Sequence, residues 1–171
     1  TFRGASAGTR GFWQGIEVQT GGTIDPIAYG AVFDHVVIED AAGTAWSGDS
    51  DSQAALYLQV DSAASITNTT FRNNARYGVW ANEDARIDGF GSNTFDDNTR
   101  VMHLHPDRIG ELAGTSMFTN NEEERVDVGF SNTNRVSADA TWPALGIPYG
   151  ITDTFSIDAA VVLEAGVEVE V

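Results

Sequence analysis

Apolar and polar residues alternate along short stretches of the chain. Ile16-Glu17-Val18, Leu56-Tyr57-Leu58-Gln59-Val60, Val126-Asp127-Val128-Gly129-Phe130 and Val167-Glu168-Val169-Glu170-Val171 are the clearest cases. In an extended strand this alternation sends successive side chains to opposite faces, one buried and one wet. No long stretch keeps a 3.6-residue apolar period, and Gly, Asn, Thr, Ser and Asp recur every few residues. The pattern therefore predicts an all-β chain of short strands and tight turns.

The strands and turns repeat. Asn68-Thr69-Thr70-Phe71-Arg72-Asn73-Asn74, Ser92-Asn93-Thr94-Phe95-Asp96-Asp97-Asn98 and Thr115-Ser116-Met117-Phe118-Thr119-Asn120-Asn121 align without gaps, their Phe residues 24 and 23 apart. Ile66, Phe90 and Ala113 stand five residues before each Phe, and Asn74, Asn98 and Asn121 three residues after. An earlier copy, His35 to Ala41, carries Ile38 at the Phe position with Phe33 five residues before it; its gap to Phe71 is 33, which fits an extra loop from Gly43 to Ser52. A strand follows each copy, and Ile16, Leu56, Val79, Met102 and Val126 open successive strands at spacings of 40, 23, 23 and 24.

A period of about 23 residues is too short for a propeller blade, and the leucine-rich repeat pattern is missing. A coil of a parallel β-helix fits, each coil adding about 4.8 Å so that equivalent residues stack. The expectation is one domain over residues 1–171, a β-helix of about five coils with 131–171 the last and most irregular. Phe71, Phe95 and Phe118 would form an interior file. Asn74, Asn98 and Asn121 would form a hydrogen-bonded ladder at a turn whose left-handed backbone Asn tolerates.

These segments resemble a known architecture. Gly11-Phe12-Trp13-Gln14-Gly15-Ile16 is similar to the G-x-W-x-G-I opening of right-handed parallel β-helix repeat proteins, the architecture of pectate lyases and of many secreted bacterial surface proteins. Ile66 to Asn74 and Phe90 to Asn98 resemble their I-x-N-S-T-F-x-x-N coils. Gly146-Ile147-Pro148-Tyr149 with Val161 to Val167 resembles the start of a further block. The resemblance implies a right-handed parallel β-helix, secreted or at the cell surface. It is specific for fold and not for activity. Neither end reads as a polar cap, which suggests a slice of a longer array or a head-to-tail homo-oligomer that builds filaments.

Composition narrows the partners. Acids number 25 against 9 bases, all Arg, for a net charge of −16. So negative a chain repels phosphate and anionic lipid, so no nucleic-acid partner is expected. No apolar run approaches about 20 residues, so no membrane insertion is expected. Cys is absent, which excludes disulfides, thiolate catalysis and Cys-based zinc sites. The acidic, lysine-free composition suits a high-salt or calcium-rich exterior, or simply reflects genomic base composition.

Alternation assigns two outward stripes. The first is Glu17, Tyr57, Trp80, His103 and Asp127; the second is Gln19, Gln59, Asn82, His105 and Gly129. Rings stack on sugars, and amides and carboxylates bond hydroxyls, so the stripes predict a polysaccharide-binding face. Read plainly, they are scattered exposed strand residues. His103 and His105, about 6.6 Å apart along a strand, could also present a metal pair with Asp127, or supply a general base beside Trp80. Asp49 and Asp51 in Gly48-Asp49-Ser50-Asp51-Ser52 offer oxygen ligands for Ca²⁺, the one cofactor considered, though the EF-hand pattern fails. Arg76, Arg100 and Arg125 each open a strand and are expected to pair with Asp97 or Glu122.

Lyase chemistry of the pectate-lyase kind needs clustered Asp ligands and a basic proton acceptor, yet Lys is missing and the stripes hold no Arg. The pectin-hydrolase set of N-T-D, paired Asp, G-H-G and R-I-K is unmatched; the pair Asp96-Asp97 falls on the repeated turn. The expected function is a non-catalytic structural or adhesive module, glycan-binding and self-stacking. The alternative is a polysaccharide-processing lyase or hydrolase acting on the outward face.

Overall fold

A computed structural model describes residues 1–19, 30–46, 52–130 and 134–171. The chain is a parallel β-solenoid of about five turns. Its strands are numbered β1 to β18 in chain order. Seven form one continuous sheet in the order β1 (Ile16–Val18), β4 (Ala54–Leu58), β7 (Tyr77–Ala81), β10 (Arg100–Leu104), β12 (Glu123–Val128), β15 (Tyr149–Ile151) and β18 (Val169–Glu170). A second sheet stacks β3 (Val37–Glu39), β6 (Thr70–Arg72), β9 (Thr94–Asp96) and β11 (Met117–Thr119). A third stacks β2 (Ala31–Asp34), β5 (Ala63–Thr67) and β8 (Arg86–Gly91). Between the last two turns β13 (Arg135–Val136) pairs with β16 (Ser156–Ile157), and β14 (Ala140–Trp142) with β17 (Val161–Leu163). Among the described residues no helix is long and apolar enough to cross a membrane.

The repeat read from sequence is the register of the sheets. Ile16, Leu56, Val79, Met102, Val126, Tyr149 and Val169 pair in one file. Ile38, Phe71, Phe95 and Phe118 pair in another, with ring centroids 4.9 Å apart for Phe71–Phe95 and 5.4 Å for Phe95–Phe118. Offset aromatic stacking adds to the area each ring removes from water.

The ladder closes one corner. Asn74 Nδ2 donates to Asn98 Oδ1 at 2.7 Å, and Asn98 Nδ2 donates to Asn121 Oδ1 at 3.0 Å. The same amides bond Phe71 and Phe95 carbonyls and accept from the backbone N–H groups of Ala41, Asn74 and Asn98. Buried turn groups are thereby satisfied, which a solenoid corner away from water requires. The left-handed residues are not the ladder amides but their predecessors, Asp40, Asn73, Asp97 and Asn120, with φ between 51° and 64°. A second left-handed corner, at His35, Asn68 and Ser92, turns the third sheet into the second. There Asn93 repeats the ladder logic, accepting from Thr69 N–H at 3.0 Å and donating to Ile66 O at 2.8 Å.

In the fourth coil a 3-10 helix, Pro106–Glu111, stands where the third sheet would continue. The His105 Nδ1 accepts from Asp107 N–H and caps it, Pro106 pre-sets its first turn, and Glu111 takes the free N–H of Ile87 at 2.6 Å.

Candidate functional site

The outward column of the seven-stranded sheet has the expected register. Glu17 pairs with Tyr57, Tyr57 with Trp80, Trp80 with His103, and His103 with Asp127; Gly150 and Glu170 continue the column. Its accessibility differs from the expectation of an open stripe. Tyr57, Trp80, His103 and Asp127 are 5%, 7%, 7% and 1% exposed. Residues from the connections lie across them. Trp46 stacks on Tyr57 with centroids 5.8 Å apart and is fixed by its indole N–H on Ala54 O. Phe130 stands edge-on over His103 at 4.6 Å and over Trp80 at 6.0 Å. Outward on a strand is a direction; the connections decide whether water is met there.

Inside this cover Trp80 and His103 lie parallel, 3.8 Å between centroids and 6° between planes, and Tyr77 meets both edge-on. Glu17 stays partly exposed at the column's end, accepting from Gln19 Nε2 at 2.6 Å. In the second row Asn82 Nδ2 donates to the Tyr57 hydroxyl at 3.0 Å, and the Gln59 carbonyl accepts from Ser62. His105 is buried in its capping role, its ring 5.8 Å from Phe130.

Asp127 anchors the lower half. One oxygen accepts from the Tyr77 hydroxyl at 2.7 Å and from Arg100 Nη1 at 2.8 Å; the other accepts from Arg125 Nε at 2.7 Å. Arg100 also bonds Glu123 at 2.8 Å, and Arg76 and Arg100 both lie over the Tyr77 ring. Burial pushes the Tyr77 hydroxyl pKa upward, and the Asp127 charge adds to it, so Tyr77 stays protonated and donates. Burial works against the Arg100 charge, but Tyr77, Asp127 and Glu123 outweigh it and hold the guanidinium protonated. A carboxylate whose two oxygens are taken by two guanidiniums and a phenol is held in place, so the arrangement suits bracing.

The Asp127 oxygens are thus engaged by Tyr77, Arg100 and Arg125. Among the described residues no three His, Asp or Glu side chains converge as a metal would need. Asp49 and Asp51 lie outside the described residues. Two of the strand-opening arginines pair otherwise than expected. Arg100 and Arg125 serve Asp127 and Glu123, while Asp97 and Glu122 bind Arg10, a residue no repeat position marks. Trp46, Phe130 and Tyr77 were the other members sequence reasoning left out. Only Tyr77 carried a signal, since it opens β7 in register with Ala54 and Arg100. No family model, curated protein or solved structure matches the chain.

Proposed function

We propose that the chain is a non-catalytic structural module of an extracellular or cell-surface β-helix of the right-handed, pectate-lyase-like kind, a spacer that grows by adding coil to coil. The observation that carries this reading is the buried Asp127, whose oxygens are taken by Tyr77, Arg100 and Arg125. The side chains best suited to chemistry on the outward sheet are spent on holding neighbouring coils together. The acidic, lysine-free composition fits an exterior setting. A sugar on Tyr57 or Trp80 would first have to displace Trp46 or Phe130, so glycan binding is the weaker half of the adhesive reading.

Growth is supported by the closing coil. Among the described residues β16, β17 and β18 have no strand beyond them, and Ile157, Leu163 and Val169 are 57%, 51% and 46% exposed. Unpaired parallel edges beside apolar side chains are templates for a further strand. Incubation with neutral polysaccharides and polyuronates is expected to release neither reducing ends nor unsaturated product; release of either overturns the non-catalytic reading. Sedimentation velocity over a concentration series is expected to show association that Val169→Lys abolishes by charging the β18 edge. A chain that stays monomeric throughout overturns the stacking.

A further inference from the structure

Residues 1–14 run beside the coils as a strap. Phe2 adds to the free edge of β3, its N–H donating to Val37 O at 2.7 Å and its carbonyl accepting from Glu39 N–H at 3.0 Å. Gly8 N–H donates to Asp40 Oδ2 at 3.1 Å, Phe12 N–H to Asp40 O at 2.7 Å, and the Trp13 indole to Glu39 O at 2.8 Å. Gly8 and Gly11 take φ of +80° and +74°, and a Cβ on Gly11 would meet Ala75 Cβ at 2.9 Å, so the strap lies close because that position is bare.

Arg10 fastens it. Its Nη2 donates to Asp97 Oδ1 at 2.7 Å and Asp97 O at 2.9 Å; its Nη1 reaches Thr99 Oγ1 at 3.3 Å and the Glu122 carboxylate; its Nε reaches Asn73 Oδ1 at 3.5 Å. One planar fork thus spans the corners of three successive coils, a task that suits guanidinium and not ammonium. The contact is wet: Arg10 is 28% exposed, Asp97 56% and Glu122 59%.

We propose that Arg10 is a salt-sensitive latch: at low ionic strength it holds the strap closed, and screening releases the strap and uncovers the β3 edge. Exposed ion pairs weaken as the screening length shrinks from about 10 Å at 0.1 M to about 3 Å at 1 M salt. The body of the solenoid responds with the opposite sign. At a net charge of −16 its acids repel one another, and the same salt relieves that repulsion. Salt therefore loosens the strap while it tightens the coils.

Amide hydrogen exchange on the full chain, from about 0.05 M to about 1 M NaCl, separates the two responses. The N–H groups of Phe2, Gly8, Phe12 and Glu39 are expected to exchange about tenfold faster at high salt, while those of Asn74 and Asn98 in the ladder do not speed up. Arg10→Met should give the fast strap exchange already at low salt, with no further salt response, and Arg10→Lys should fall between. Equal strap protection at both salts, or a protected strap in Arg10→Met, overturns the latch. Loss of ladder protection together with the strap in Arg10→Met also overturns it, since Arg10 would then be a brace for the whole corner.

Discussion

The coils through β4, β7 and β10 and the last turn through β16, β17 and β18 have the same parallel pairing but opposite side-chain environments. All five residues of β4 and of β7 are buried, whereas both residues of β16 and of β18 are exposed. Backbone hydrogen bonding does not separate them, since β14 and β17 pair as regularly as β6 and β9. The difference lies in the files. In the middle the inward files run on above and below, and Asn98 has a ladder amide on both sides. The ladder stops at Asn121, whose N–H turns to the Glu124 carboxylate at 3.2 Å. In a solenoid, pairing fixes where a residue sits, and two flanking coils fix how well it is buried.

Two substitutions in the middle coils should have the largest effects. Phe95→Ala removes a fully buried ring stacked between two others and should cost about 4 kcal/mol, read from urea unfolding of the full chain. Asn98→Ala leaves the buried Asn74 N–H without its acceptor, strips the Phe71 carbonyl of its amide donor and breaks the ladder, and should cost about 3 kcal/mol. If either costs less than a substitution in the closing coil, two-sided stacking is not what stabilises the middle.

The middle coils were also the legible part of the sequence. A fixed period places Phe71, Phe95 and Phe118 in one file and Asn74, Asn98 and Asn121 in one ladder, because stacking converts sequence spacing directly into contact. Turn strain was legible only to within one residue: the ladder amides were expected to carry the left-handed corner that Asn73, Asp97 and Asn120 take instead. Cover was not legible at all. The period says that Tyr57, Trp80, His103 and Asp127 point outward, yet Trp46 and Phe130 come from connections of irregular length. Arg10 is read least of all, since its partners lie 63 to 112 residues away at no repeat spacing.

Asp127→Asn tests whether the outward column belongs with the buried middle. It keeps the shape of the side chain and removes the charge between Arg100 and Arg125. The arginines are 21% and 33% exposed, so water recovers part of the loss, and the expected cost is about 2 kcal/mol. Leu163→Ala lies on the other side of the comparison. Half its side chain already meets water, and the unfolding midpoint should move by less than about 1 kcal/mol in equivalent stability. A larger loss there would mean that another coil or another copy covers β17 in solution.

The joint between the two regions is the smallest and most specific test. Ser137, in the first of the two closing turns, gives Asp107 of the 3-10 helix its N–H and its hydroxyl, both at 2.6 Å. Burial pushes the Asp107 carboxyl upward, but Ser137, with His105 and Arg108, reverses this and leaves it below the ordinary aspartate range. The folded chain then ionises this group more readily than the unfolded one. Its contribution is present above the ordinary value of 3.8 and is lost as pH falls through the lowered value. Asp107→Asn should therefore lower stability at about pH 6 by less than about 1 kcal/mol, and the gap to the parent chain should narrow as pH falls below 3.8. Urea midpoints for both chains across that range measure it. A gap that persists unchanged at low pH would mean that the closing turns are held to the middle by packing around Trp142 and Tyr149, with no share from the charge on Asp107.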